Sequence, residues 1–348
     1  MICESCLPTD RGYTVYFLED ESFKKLSDYF KNYSDKSCKL INERMLWLKE
    51  SVFFDLLDYV EANLDKKHIF AILSTISDPL KNLNEMRQID TFKLERQASW
   101  IDKVIEDKSI CTHYQPIVKI NNGNIEIIGN ELLSRGLDEN GDIIPPNKMF
   151  EATRLRNQTF SLDRVCRVES VKNARLVSNK LIFINFIPTA IYVPEHCLTT
   201  TFQLIKELNI KPEQVVFEVV ETDEVKNLDH LKSILNYYRS HGFKYALDDV
   251  GMGYNNLKTL KEMEPDIVKL AFEFTNGVSN DIDKQTVARS VLTIAHDMNA
   301  LALAEGVERE EDLNFLLEMG YDLFQGYLFS KPQAHPVEKL KMKLSAKV

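Results

Sequence analysis

From about residue 111 onward, short apolar runs alternate with amphipathic stretches, and this alternation constrains the fold more than any other feature of the sequence. The runs "NIEIIGNELLS", "KLIFINFI", "QVVFEVVE", "KYALDDV", "DIVKLAF", "ALALAEGVE" and "DLFQGYLFS" read as buried strands. Between them lie helical segments such as "LDHLKSILNYYRSHG" and "KQTVARSVLTIAHDMN". Strands alternating with helices build a parallel sheet with the helices outside. Seven such runs within about 230 residues predict a (β/α)8 TIM-like barrel, with an open doubly wound sheet as the alternative.

The first 110 residues read differently. "SFKKLSDYFKNYS" sets Phe23, Leu26 and Phe30 three to four apart, the stripe of an amphipathic helix. "ERMLWLKESVFFDLLDYVEANL" continues that pattern, and "TFKLERQASWIDKVIEDK" predicts a helix leading into the next region. Only "YTVYFLE" suggests a short strand. The expectation is a smaller, mostly helical N-terminal domain over 1–110, followed by a barrel over 111–340. No Gly/Ser-rich linker marks the join.

Charge and composition narrow the function classes. The formal net charge of −10 argues against binding a nucleic-acid polymer, which calls for a basic surface. No stretch approaches the apolar length of a membrane span. "MICESCLPTDRG" lacks the basic start and apolar run of a signal peptide, so a cytoplasmic location with reduced thiols is expected. Of six cysteines, only Cys3 and Cys6 have C-x-x-C spacing. They read either as half of a metal or redox site or as two surface thiols, since no second ligand pair follows.

The polar residues at the strand ends carry the chemistry. Glu131 follows "IEIIGN", Asn185 follows "LIFI", and Glu218 follows "VVF", with Glu221 three residues on. Asp248 and Asp249 follow "YAL", Lys269 follows "DIV", Glu305 follows "ALALA" and Gln325 follows "LF". In a (β/α)8 barrel the C-terminal strand ends build the active site. Each residue alone has an ordinary explanation as a loop carboxylate, a turn former or a lysine reaching solvent. Together, five acids aimed at one mouth are costly without a cation. Carboxylates and an amide, with no histidine, suit Mg2+ or Mn2+. A pair of such ions drives displacement at phosphorus, so the residues point to a metal-dependent phosphoester hydrolase.

At these same residues the chain resembles the EAL-domain phosphodiesterases that hydrolyse cyclic di-GMP. The likeness runs from Tyr114 to Pro332 through "YQPIV" (114–118), "GNELLSR" (129–135), "INFIP" (184–188) and "FEVVE" (217–221). It continues through "LDDVGMGYNNL" (247–257), "VKL" (268–270), "AEGVE" (304–308) and "QGYLFSKP" (325–332). The resemblance implies an EAL-type barrel with one antiparallel strand and two Mg2+ or Mn2+ ions. Glu131, Asn185, Glu218 and Asp248 match the ligands of one metal, and Asp248, Asp249 and Glu305 those of the other. Lys269 matches a lysine that positions the attacking water, and Gln325 a glutamine that contacts it. Glu131, Lys269, Glu305 and Gln325 are thus the expected catalytic residues. Gln115, Leu133, Arg135, Asp163, Phe329 and Pro332 match positions that grip the dinucleotide. Glu221 matches the anchor of the loop after the aspartate pair, and Glu308 a supporting acid. A homodimer is implied as well.

The departures from that pattern are Leu132 for alanine, Val220 for threonine, Val250 for phenylalanine and Asn255-Asn256 for a serine pair. The largest is Ala271, where the family has an aspartate two residues after the lysine. Three functions follow: a phosphodiesterase yielding pGpG, a receptor that binds cyclic di-GMP without cutting it, or a regulator acting through protein contacts.

Overall fold

The computed structural model describes residues 11–30, 33–177, 179–220, 228–251 and 262–340. Its contacts divide the chain into two compact units, Met1–Lys103 with Phe150–Gln158, and Val104–Met149 with Thr159–Val348. Cys3, Cys6, Glu221 and the Asn255-Asn256 pair lie outside the described residues.

The first unit is not mostly helical. It holds a five-stranded antiparallel sheet built from β1 (Arg11–Phe17), β2 (Cys38–Asn42), β3 (Met45–Lys49), β4 (Ile69–Thr75) and β5 (Arg87–Gln88), in the order β2-β3-β1-β4-β5. The predicted helices Asp20–Phe30 and Glu50–Asn63 pack on it. Phe23, Leu26, Phe53, Leu56 and Leu57 join Tyr13, Val15 and Phe17 in one core. The Tyr13 and Phe53 rings stack at 4.1 Å.

The misreading has a physical cause. β3 lies inside the sheet between β2 and β1, so Leu46, Trp47 and Leu48 are all buried. A strand buried on both faces shows no alternation, and an apolar run that leads straight into a helix reads as its first turn. β4, "IFAILST", buries Ile69, Ala71, Ile72 and Ser74 with half-buried residues between, so its alternation is broken at Ile72.

The second unit is the predicted barrel. Its strands are β6 (Ile110–Asn121), β7 (Asn124–Leu137), β9 (Leu181–Asn185), β10 (Val215–Val220), β11 (Lys244–Val250), β12 (Ile267–Leu270), β13 (Leu301–Ala304) and β14 (Leu323–Phe324). The short β8 (Ile143–Ile144) pairs with the end of β7. The order β6-β14-β13-β12-β11-β10-β9-β7 closes on itself through the β6–β7 pairing. β6 pairs antiparallel with both β7 and β14, whereas the neighbours from β7 round to β14 pair in parallel. One antiparallel strand therefore completes the eight, as the resemblance implied.

Two cores sit on the two faces of these strands. Ile117, Phe183, Val216, Ala246, Ile267, Leu303 and Leu323, each from a different strand, pack together in the barrel interior. The alternate strand residues, among them Ile182, Ile184, Phe217, Tyr245, Leu247 and Val268, pack outward against the surrounding helices. Burial on both faces is why these strands read as continuous apolar runs. No helix among the described residues is long and apolar enough to cross a membrane.

Candidate active site

The interior apolar layer fixes where the polar side chains stand. Side chains along a strand alternate faces, so residues two apart share one. Two residues beyond Phe183, Val216, Ala246, Ile267, Leu303 and Leu323 come Asn185, Glu218, Asp248, Lys269, Glu305 and Gln325. On β7 the residue two before Glu131 is Gly129, where an added Cβ would come within 3.0 Å of the Phe183 ring. On antiparallel β6 the count runs backwards, and Gln115, two before Ile117, pairs in register with Glu131. Each of the eight strands thus supplies one polar residue above the apolar layer, at the end where active sites form in such barrels.

Hydrogen bonds tie part of this ring together. Asn185 Nδ2 donates to Glu131 Oε1 at 2.8 Å, and Gln325 Nε2 donates to Glu131 Oε2 at 2.6 Å. Both oxygens of Glu131 are therefore aimed by amides from β9 and β14.

Lys269 stands among the remaining acids. Its Nζ lies 2.6 Å from Glu218 Oε1, 2.9 Å from Asp248 Oδ1 and 2.5 Å from Glu305 Oε1. Lys269 and Glu218 are both 0% exposed. Burial alone would push the lysine's pKa down, but Asp248, Glu218 and Glu305 raise it well above the usual range. It stays an ammonium. Burial and the neighbouring acids Glu131 and Asp248 raise Glu218, with Lys269 opposing. Burial and the charges of Asp248 and Glu131 raise Glu305 in the same way.

Adjacent Asp248 and Asp249 would face opposite sides of a regular strand. The β11–β12 register slips between Leu247 and Val250, and Asp249 adopts a left-handed backbone with φ 53°. Aspartate tolerates that conformation better than most side chains. The kink lets Asp248, Asp249 and Glu305 each offer a carboxylate oxygen within 4.8 Å of one another. Burial and then Asp248 raise the pKa of Asp249.

The residues present suit a divalent cation. Five acids, Glu131, Glu218, Asp248, Asp249 and Glu305, share one ammonium, which leaves four formal negative charges. Glu218 Oε2 is buried without a hydrogen-bond partner among the described residues. The donors are hard oxygens throughout, the set that Mg2+ or Mn2+ prefers.

The expected substrate contacts are placed unevenly. Leu133 and Arg135 continue the Glu131 face of β7, both half-buried, and Arg135 Nη1 donates to Ser134 O at 2.9 Å. Pro332 is half-buried beside Gln333, which bridges to Tyr114 on β6. Phe329 is buried in the outer core. Asp163 is buried too: its carboxylate accepts from the Ile187 amide at 2.9 Å and pairs with Arg167 at 3.0 Å. It therefore holds the chain just after Asn185. Arg167 was not singled out from sequence, although its i+4 spacing from Asp163 on one helix was a usable signal. Glu308 is exposed.

Ala271 is buried at 1% exposure, and its carbonyl starts the short helix Phe272–Thr275 with no side-chain cap. Two glycines admit close approaches near the mouth. Gly306 has φ 64°, and a Cβ there would run into the Phe272 ring. A Cβ on Gly326 would strike the backbone of Val307, whose amide donates to Gln325 O at 2.9 Å.

Known proteins share this fold. The sequence profile of the EAL domain matches residues 98–332. A standalone EAL protein from Vibrio cholerae O395, solved in its c-di-GMP bound form, is 32% identical, covers 67% of this chain and 95% of its own, and superposes with a TM-score of 0.59. An EAL domain protein from Listeria monocytogenes EGD-e is 28% identical with a TM-score of 0.60, covering 68% of this chain and 94% of its own. The cyclic di-GMP phosphodiesterase PdeF of Escherichia coli K12 is 30% identical over 210 residues, which are 59% of this chain and 28% of that protein. The chain spans less than half the length of the curated relatives it matches first. With the closed barrel, the ring of polar strand ends and the profile match over most of its length, this chain belongs to the EAL domain family.

Proposed function

We propose that this chain hydrolyses cyclic di-GMP to linear pGpG, using two Mg2+ or Mn2+ ions. The observation that carries the reading is the complete acid set Glu131, Glu218, Asp248, Asp249 and Glu305, gathered with Asn185, Lys269 and Gln325 at one end of the barrel. The names of relatives such as PdeF support it. Glu131, Asn185, Glu218 and Asp248 would hold one ion, and Asp248, Asp249 and Glu305 the other. When bound, the ions would activate a water and neutralise charge developing at phosphorus.

The protein's own residues have separate tasks. Asn185 and Gln325 aim the two oxygens of Glu131. Lys269 supplies a positive charge for the reacting phosphate. Arg135 offers a guanidinium fork to a phosphate from the rim of β7. Gln115, Leu133 and Pro332 border the dinucleotide, with Phe329 backing the wall and Asp163 fixing the chain after Asn185. Glu308 assists from outside. The N-terminal unit regulates or dimerises a cytoplasmic homodimer.

A second reading is favoured by one observation. Ala271 is apolar and buried where the family pattern has an aspartate, so a receptor that binds the dinucleotide with little turnover is the competing function. Purified protein mixed with cyclic di-GMP and Mg2+ or Mn2+ decides, with pGpG followed by chromatography. Product that disappears with Glu131→Ala and with chelator supports the enzyme. Binding without product supports the receptor.

A further inference from the structure

This inference rests on the metal reading above and concerns what Lys269 does to it. The lysine stands on β12, flanked by β11 and β13, and touches oxygens of Glu218 on β10, Asp248 on β11 and Glu305 just past β13. All three acids belong to the proposed metal ligands. Nζ stands at ion-pair distance from all three carboxylates at once. The ammonium is thus shared among three acids rather than paired with one.

A compact charge surrounded by three carboxylates stands to them much as a metal ion would. Two cations sharing the same oxygens repel each other strongly, because a buried site screens charge weakly. A buried acid cluster with no cation at all is equally unfavourable. We propose that Lys269 is an internal counter-ion competing with the divalent metal for Glu218, Asp248 and Glu305. It lets the acid layer fold without metal, it weakens metal binding, and it is pushed aside when metal enters. The lysine's freedom to meet a phosphate is then tied to metal loading.

The test measures metal binding on the full-length chain, with Mn2+ as the probe and its electron paramagnetic resonance signal reporting the free ion. Lys269→Met removes the charge and nearly keeps the volume; Lys269→Arg keeps the charge. The methionine variant should bind Mn2+ about tenfold more tightly or better, as expected for removing one nearby charge. The arginine variant should bind no more tightly than wild type. In chelator, Lys269→Met should melt at a lower temperature than wild type, and Mn2+ should raise its melting temperature further. A methionine variant that binds Mn2+ no more tightly than wild type overturns the proposal and leaves the metal reading standing. If neither protein binds Mn2+, the metal reading falls and the proposal with it. Should Lys269→Met fail to fold, acetylation of Lys269 in the wild-type chain, read by peptide mass spectrometry, answers the question. Labelling should rise several-fold on adding Mn2+, and unchanged or reduced labelling overturns the proposal.

Discussion

Gln325 and Glu131, 194 residues apart in sequence, meet at 2.6 Å where the barrel closes. The amide of one strand aims the carboxylate of another, and Asn185 holds the second oxygen. Closure of the barrel is thus a condition for the site.

Removing that amide tests the link. Gln325→Ala should leave the fold intact and lower kcat roughly tenfold or more, because a positioned buried hydrogen bond is lost beside the reacting atoms. Steady-state kinetics on cyclic di-GMP, with circular dichroism as the folding control, checks it. Unchanged kcat would mean that Glu131 needs no such aim.

The left-handed backbone at Asp249 predicts a separation of stability from activity. Asp249→Asn keeps a side chain that tolerates this conformation, so the variant should melt close to wild type while losing most of its turnover. Asp249→Ala should lose the same activity and about 1 kcal/mol of stability as well. Denaturant melts of the pair supply the comparison.

Gly326 should be intolerant of any side chain. A Cβ there meets the Val307 backbone, and backbone cannot rotate out of the way as a flexible side chain can. Gly326→Ala is expected to cost about 1–3 kcal/mol or more. Gly129→Ala meets neighbours only at 3.0 Å and should cost less. A reversed order in urea titration would contradict the close approach.

Asp312 gives a pH dependence. Burial raises its pKa, but bonds from the Ser279 and Gly277 amides and from Arg309 outweigh that, so the net shift is downward. A carboxylate with a depressed folded-state pKa contributes stability above its unfolded value and loses it as pH falls through the folded one. Asp312→Asn should therefore melt below wild type at pH 7. The gap should close on acidification below the usual carboxylate range. Thermal melts of both proteins from pH 7 down to pH 3 read this out, and a gap independent of pH would assign the loss to packing instead.

Restoring the carboxylate at position 271 addresses the receptor alternative. Ala271→Asp should raise kcat several-fold while leaving Mn2+ affinity within about twofold, because Ala271 is not among the proposed metal ligands. The new side chain also stands where it can cap Phe272–Thr275, which offsets part of its burial cost. An unchanged kcat would show that the substitution is neutral.

The barrel and seven of its eight polar strand ends were legible in the sequence for one reason. Strands buried on both faces appear as separate apolar runs, and a polar residue closing such a run must leave the core at the strand's end. Glu218 after "VVF" and Lys269 after "DIV" needed no neighbour to be identified. The same continuous burial concealed β3, because an apolar run beside a helix carries no period of its own. Which acids share a cation depended on strand order, a non-local property; only the closed sheet puts Lys269 between Glu218, Asp248 and Glu305. Asp163 shows the same divide. The resemblance implied a place on the nucleotide-binding side, and only packing shows its carboxylate bound to Arg167 and the Ile187 amide. Sequence determined which chemistry the strands carry, because side-chain type and strand pattern are local. Tertiary structure decided which charges face one another, because burial and distance arise only when the barrel closes.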